Sequence, residues 1–118
     1  MRDDRERLAD ILEAIDRIER HAQRGRAEFD RDEMLQTWIV HHLLIIGEAC
    51  SAMTRGLTNA HPEVPWRRVA GMRNVLVHNY FLVDHAIVWS VVENDLSTIK
   101  EQVREMLDEL DSAASPKP

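Results

Sequence analysis

Hydrophobic residues recur along most of this chain at intervals of three and four, the spacing that places them on one side of an α-helix. The first such segment carries five aliphatic residues separated by Asp, Glu and Arg: Leu8, Ile11, Leu12, Ile15 and Ile18. This helix is expected to end near Arg24 and Gly25, because glycine is a common helix terminator. No segment shows the period-two alternation of a β-strand, so the pattern predicts an all-α protein.

The next segment is more apolar than an ordinary surface helix. Asp30 and Glu33 form an acidic version of the capping box, which predicts that a second helix begins there. Along one broad stripe this helix would carry Leu35, Trp38, Ile39, His42, Ile45, Ile46, Ala49 and Met53. A helix that is apolar on nearly every side is buried from more than one direction. We therefore predict that it is the central helix of the fold or one half of a subunit interface.

Glycine and proline then interrupt the helical pattern. Gly56, Asn59, Pro62 and Pro65 indicate a loop. A third helix is predicted at about residues 66–78, with Pro65 close to its first turn, where the missing N–H is tolerated. Its buried side would consist of Val69, Met72 and Leu76.

The last part of the chain predicts a connection, one long helix and a tail. Residues 79–83 form the connection, and Asp84 is a suitable N-cap for the final helix. The inner face of that helix would carry Val88, Val91, Leu96, Ile99, Val103, Met106 and Leu110. Together the segments predict an up-and-down bundle of four to five helices, built by a single domain at residues 1–111. Residues 112–118 are expected to form a disordered tail.

The composition gives an expected location for the protein. Cys50 is the only cysteine, so no intramolecular disulfide can form. The first residues are charged and show no apolar signal region, and an uninterrupted apolar run such as that at residues 43–46 is only four residues long. We therefore expect a cytoplasmic protein that does not interact with a membrane.

Charge is distributed unevenly along the chain. The formal net charge is −6, which argues against general coating of nucleic acid. Residues 51–80, however, contain four arginines and one glutamate, a local charge of +3, whereas the remainder carries 11 basic and 20 acidic residues, a charge of −9. An acidic protein with one basic segment is expected to contact phosphate at a single place. The alternative is that the arginines simply lie on a solvated stretch.

The sequence offers no recognisable set of metal ligands. His41 and His42 are adjacent and would point about 100° apart on a helix, unlike a metal-binding i, i+4 pair. We therefore predict neither a metal nor a cofactor. His42 lies on the apolar stripe and is interpreted as a hydrogen-bonded core or interface histidine, and Cys50 as a small core residue.

Candidate chemistry is concentrated in the octet from Arg73 to Tyr80, which also contains Asn74, His78 and Asn79. Cleavage of RNA without a metal requires a proton acceptor for the ribose 2′-hydroxyl, and histidine titrates near neutral pH. It also benefits from a permanent cation on the phosphate, which an arginine can bind through two N–H groups. The alternative is that Arg73 and His78 are only capping and salt-bridge residues at a helix end.

Helix geometry favours a dimer for this chemistry. Arg73 and His78 are five residues apart, or about 140° around a regular helix. Asn74 and His78, at i and i+4, are neighbours on one face. Two copies of the helix meeting across a two-fold axis would bring the arginine and the histidine together more easily than one copy could.

Arg73-x4-His78 followed by Asn79 and Tyr80 resembles the Arg-x4-His-x-Tyr signature of the HepT-like toxins, a group of HEPN ribonucleases. Further motifs resemble the same family in the same order. They are Ile46-Gly47-Glu48-Ala49, then His61-Pro62-Glu63-Val64-Pro65-Trp66, then Gly71-Met72-Arg73-Asn74, and then Val83-Asp84 before Val88-Trp89. The resemblance extends over about residues 8–110.

This resemblance implies a metal-independent endoribonuclease that works as a homodimer, with its RNA-cleaving cleft at the subunit interface. Arg73 and His78 would be the catalytic pair, and Asn74 would orient the arginine or the RNA. The family supplies the toxin half of two-gene toxin–antitoxin systems. The partner is a minimal nucleotidyltransferase, MntA-like, that inactivates the toxin by adding AMP to the signature tyrosine, here Tyr80. An alternative is a non-catalytic helical dimer that binds and regulates a nucleotidyltransferase.

Two residues carry additional hypotheses. Glu48 interrupts an apolar helix, where an unpaired carboxylate is costly, so we expect it to pair with a basic group such as Arg73. The alternative is that Glu48 points to solvent at the helix edge. Tyr80 must be accessible if it is modified, whereas as an ordinary core residue beside Phe81 it would be buried.

Overall fold

The structure is a computed structural model that describes residues 3–78 and 83–114, excluding the side chains of Val77, His78 and Ala114. Within these ranges the chain forms seven helices and no strand. They are α1 (Asp4–Ala22), α2 (Arg26–Arg31), α3 (Glu33–Ser51), α4 (Arg55–Ala60), α5 (Trp66–His78), α6 (His85–Asn94) and α7 (Leu96–Ala114). The predicted all-α fold is confirmed. The count exceeds four to five because α2 and α4, of six residues each, were not predicted, and because the last predicted helix is divided into α6 and α7.

Helix α1 begins and ends close to where the sequence indicates. The Asp3 carboxylate accepts a hydrogen bond of 2.8 Å from the Glu6 N–H and caps the N-terminus. The helix ends at Ala22, and Gly25 adopts φ = 87°, a backbone conformation that favours glycine. The buried residues of α1 include four of the predicted aliphatic positions, Leu8, Ile11, Ile15 and Ile18.

Helix α3 lies at the centre of the bundle, as predicted, because it packs against both α1 and α5. The predicted cap at Asp30 is wrong, since that residue lies within α2. Asp32 caps α3 instead, and its Oδ1 accepts hydrogen bonds from the N–H groups of Met34 (2.9 Å) and Leu35 (3.2 Å). Phe29, fully buried, fixes α2 against the core and thereby moves the start of α3 beyond Asp30.

The segment between α3 and α5 is held by hydrogen bonds around His61. The Trp66 indole N–H donates to the His61 carbonyl at 2.9 Å, and the Val64 N–H donates to the same carbonyl at 3.2 Å. Val64 is buried. The predicted loop therefore contains the short helix α4 and a tightly bonded turn that leads into α5.

The last predicted helix is two helices. Asp84 caps α6, as expected, by accepting from the N–H groups of Ala86 (2.9 Å) and Ile87 (3.4 Å). The helix is interrupted at Asp95. Helix α7 follows and packs against α1 and α6. Helix α7 continues to Ala114, past residue 112 where the tail was predicted to begin, and residues 115–118 lie outside the described ranges.

One cluster of buried side chains joins the helices, and its largest fully buried members are Phe29, Leu8, Ile11, Ile15, Ile18, Ile39, Leu43, Ile46, Leu96, Met106 and Val103. None of the helices in the described part of the chain combines the length and the apolar character needed to cross a bilayer.

Candidate active site

Helices α3 and α5 come into backbone contact at Gly47. A Cβ built on Gly47 would lie 2.7 Å from Cβ of Arg73 and 3.3 Å from the carbonyl oxygen of Val69. Only a residue without a side chain fits so close to a neighbouring helix. This contact brings Arg73 directly beside the C-terminal half of α3.

The Arg73 side chain is held by one neighbour on α3 and one on its own helix. Its Nε–H donates to Oε1 of Glu48 at 3.2 Å, and an NH1 hydrogen is directed at Oδ1 of Asn74 at 3.4 Å. The predicted pairing of Glu48 with Arg73 is therefore present. The Arg73 side chain remains 37% exposed and that of Glu48 65% exposed.

The exposure of Glu48 corrects the reason for which the pairing was predicted. The carboxylate lies at the edge of α3, next to solvent, and is not enclosed by the apolar part of the helix. Glu48 therefore pairs with Arg73, as expected, and also faces solvent at the helix edge, as the alternative had it. An ion pair at such a position contributes only about 0–1 kcal/mol to stability, so its main effect is to orient the guanidinium.

Three predicted site features fall beyond what is described. The side chain of His78, and the whole of Asn79 and Tyr80, lie outside the described residues. Helix α5 includes the backbone of both Arg73 and His78. The separation of about 140° expected for a regular helix therefore applies to these two positions.

The other histidine and the cysteine singled out from the sequence are core residues, as predicted. His42 is buried, and its Nδ1 lies 2.8 Å from the carbonyl oxygen of Trp38, to which a protonated Nδ1 donates. Burial lowers the pKa of His42. Cys50 is buried, and burial raises the pKa of its thiol to about 12. Among the described residues, no three His, Cys, Asp or Glu side chains form a group that could hold a metal ion.

The arginines of the basic segment differ in their surroundings. Arg68 forms an ion pair with Asp95, with 3.2 Å between NH2 and Oδ1, which links α5 to the α6–α7 junction. Arg55 and Arg67 are exposed. Arg73 is oriented by Glu48 of α3, and part of its side chain remains accessible.

A largely apolar groove lies between α5 and α6. Its volume is about 670 Å³, and its floor includes Ile46 and Ile99. Met72 lines its α5 side. Two apolar residues at its walls are unusually exposed, Val75 at 58% and Ile87 at 64%. Apolar side chains of α5 and α6 at this groove are therefore open to solvent in the single chain.

Sequence reasoning did not identify Gly47 as a site residue. A glycine in the interior of a helix costs about 1 kcal/mol relative to alanine. Its presence within the 19-residue helix α3 was a usable signal of a close approach. The sequence could not reveal which residue lies opposite it.

The all-helical bundle and the Arg73-x4-His78 spacing on α5 together define a HEPN-type domain. The sequence model of the family described as "Ribonuclease HepT-like" matches residues 11–106.

Three relatives illustrate the similarity. A protein of Methanocaldococcus jannaschii, named as a candidate RNase, is 37% identical over 97 residues, which cover 81% of this chain and 89% of that protein. "Probable ribonuclease HepT" of Thermococcus cleftensis is 39% identical, covering 79% of this chain and 86% of that protein. A candidate RNase of Caldanaerobacter subterraneus is 36% identical, covering 68% and 71%. No match to this chain was found among the solved structures.

The chain therefore belongs to the HepT-like ribonuclease family.

Proposed function

We propose that this protein is a metal-independent endoribonuclease in which Arg73 binds the scissile phosphate and His78 is the general base. The observation that carries the proposal is the Arg73 guanidinium, which is fixed by Glu48 and Asn74 and is still partly exposed. The names of the relatives, which describe ribonucleases, support the same reaction class.

The proposed reaction is a transesterification within RNA. The ribose 2′-hydroxyl gives its proton to the His78 imidazole, and its oxygen bonds to the adjacent phosphorus. The bond from phosphorus to the 5′-oxygen of the next nucleotide breaks, and this oxygen leaves with a proton from water. The resulting hydroxide takes up the proton held by His78 and restores the neutral imidazole. The products are a 2′,3′-cyclic phosphate and a 5′-hydroxyl. Arg73 stabilises the additional negative charge on the phosphate oxygens during the attack.

We further propose that the active form is a homodimer in which Arg73 of one subunit works with His78 of the second. Positions 73 and 78 of one α5 face directions about 140° apart, which disfavours a site built within one subunit. Helix α5, which carries both residues, forms one side of the apolar groove between α5 and α6. A second copy seated on Val75 and Ile87 would cover this groove and bring two copies of α5 together.

The biological role we propose is that of the toxin in a toxin–antitoxin pair with a minimal nucleotidyltransferase. The Arg-x4-His-x-Tyr motif supports this role, because its tyrosine, Tyr80, is the residue to which the partner would add AMP. An AMP group two residues from His78 would introduce a phosphate and a bulky base where RNA should bind. Incubation with such an enzyme and ATP is expected to add the mass of AMP to the wild type and not to Tyr80→Phe.

The nuclease proposal is tested by cleavage of RNA in the presence of EDTA. We expect Arg73→Ala to reduce the rate by about 10²–10³-fold, as for loss of one charged donor. His78→Ala should reduce it by roughly 10²–10⁴-fold. Matched controls are Arg20→Ala, on the exposed side of α1, and His41→Ala, an exposed position on α3. Cleavage that persists in both site variants, or a wild type that cuts no RNA, would contradict the proposal.

A further inference from the structure

The contact between Gly47 and Arg73 involves atoms that cannot move independently of the helix. A Cβ on Gly47 would meet Cβ of Arg73 at 2.7 Å and its Cα at 3.4 Å. Rotation about the side-chain bonds of Arg73 moves neither atom. A side chain at position 47 would therefore force α5 as a whole away from α3.

The polar contacts of Arg73 engage two of its three guanidinium nitrogens. An arginine has five N–H donors in a planar arrangement. Glu48 accepts the Nε–H, and Asn74 accepts one N–H of NH1. Among contacts between the described residues, the other NH1 hydrogen and both hydrogens of NH2 are left. The terminal edge, formed by one hydrogen of NH1 and one of NH2, can bind two oxygens of one phosphate.

We propose that Gly47 is a positioning residue for Arg73 and that Gly47 and Glu48 together present the terminal NH1/NH2 edge of the guanidinium to the RNA phosphate. This inference rests on the proposed nuclease function. Gly47 sets the distance between α3 and α5. At this distance Glu48 accepts the Nε–H of Arg73 and fixes the Nε edge. The guanidinium then reaches the phosphate in one orientation, without a search among side-chain rotamers.

The first test is the kinetics of RNA cleavage by Gly47→Ala. A misplacement of about 1 Å can reduce a rate by about 10²-fold, so we expect a fall of that order in kcat and a smaller change in KM. The matched control is Gly56→Ala in α4, where an added Cβ meets only Oγ1 of Thr54 at 4.0 Å. Gly71 is less suitable as a control, although its Cβ would meet nothing within 4 Å, because it lines the apolar groove.

Glu48 provides a second pair of variants that does not disturb the helix contact. Its side chain is largely exposed, so substitution should leave the fold intact. Glu48→Ala removes the acceptor of the Arg73 Nε–H and is expected to lower kcat about tenfold or more. Glu48→Gln keeps an oxygen at the same place and should restore most of the loss. A purely structural role of Glu48 would not produce this rescue.

An NMR measurement tests the same geometry and does not depend on RNA cleavage. In a sample labelled with ¹⁵N-arginine, the Nε–H signal of Arg73 is assigned by its loss in Arg73→Lys. We expect this signal to be protected from solvent exchange in the wild type, in Glu48→Gln and in Gly56→Ala. Protection should be lost in Gly47→Ala and in Glu48→Ala.

The outcomes separate this inference from the proposed function. If the wild type cuts no RNA while the protection pattern is as expected, the nuclease proposal is wrong and the positioning of Arg73 by Gly47 and Glu48 is supported. If Gly47→Ala keeps both the protected signal and the wild-type kcat, the positioning inference is overturned. If the wild type cuts RNA and Glu48→Ala has the same kcat, the inference is overturned as well.

Discussion

The Arg73–Glu48 pair illustrates how a surface contact can matter for function more than for stability. Both side chains are partly exposed, so the pair should contribute no more than about 1 kcal/mol to the free energy of unfolding. Its removal is nevertheless expected to affect RNA cleavage, because a guanidinium without a fixed orientation must be ordered again in the transition state.

The buried histidine gives a prediction about pH. Burial lowers the pKa of His42, although the hydrogen bond to the Trp38 carbonyl opposes this effect. The unfolded chain therefore takes up a proton below about pH 6.5, where the folded protein resists it. We expect the free energy of unfolding to be fully retained above that pH and to decrease as the pH falls below it.

This pH dependence can be assigned by urea unfolding at pH 7.5 and pH 5.5. His42→Gln should show a smaller loss of stability between the two pH values than the wild type. His41→Gln is the control, because His41 is the exposed neighbour on the same helix. Its charge contributes to the lowered pKa of His42 less than burial does, so this variant should keep most of the wild-type loss. If His42→Gln loses as much stability between the two pH values as the wild type does, groups other than His42 cause the pH dependence.

At the level of helices, the start of α3 gives a prediction that separates two aspartates. Asp32 caps α3 and also forms an ion pair with Arg24, at 3.2 Å between NH2 and Oδ2. The Asp30 carboxylate forms an i, i+4 ion pair with Arg26 within α2. Asp32→Ala is therefore expected to lower the free energy of unfolding by about 1 kcal/mol. Asp30→Ala should lower it by about 0.3–0.5 kcal/mol.

Chemical denaturation of the two variants distinguishes the cap in the structure from the cap that the sequence suggested. If Asp30→Ala is the more damaging change, the boundary between α2 and α3 described above is wrong.

The long helices were predictable because several turns of regular apolar spacing leave few alternatives. Helix α5 was predicted at the residues where it occurs, and Asp84 was correctly identified as a cap. Helices of six residues such as α2 and α4 contain too few turns to show a period. The break at Asp95 was missed because the apolar spacing of α6 continues into α7.

The candidate site was predictable in part for similar reasons. The contact of Glu48 with Arg73 was predicted from a charge in an apolar helix, although Glu48 lies at the exposed edge of that helix. The close approach at Gly47 depends on which helix lies opposite, which is a property of the tertiary packing and not of the local sequence.

For the whole molecule, the central question is what covers the apolar groove. A second copy seated there should be displaced by a charge, because an unpaired carboxylate in an apolar interface is strongly unfavourable. We expect Ile87→Glu to weaken dimerisation by at least roughly 10²-fold, equivalent to about 3 kcal/mol, and to reduce RNA cleavage with it. Helix content should not change, since Ile87 is 64% exposed in the single chain.

Sedimentation velocity measures this change in association. Met34→Glu is the matched control, because Met34 is 84% exposed and lies on α3 outside the groove. It should remain dimeric and active. Dimers of unchanged affinity in Ile87→Glu would show that the groove is not the subunit interface.

The most direct test of the shared site is to mix two inactive variants. Arg73→Ala and His78→Ala are unfolded together, refolded at equal concentrations and assayed on RNA. Half of the dimers formed at random contain one chain of each kind, and each of these has one intact pair from Arg73 of one chain and His78 of the other. We therefore predict recovery of about a quarter of the wild-type rate. A mixture as inactive as its two components would contradict a site assembled between subunits.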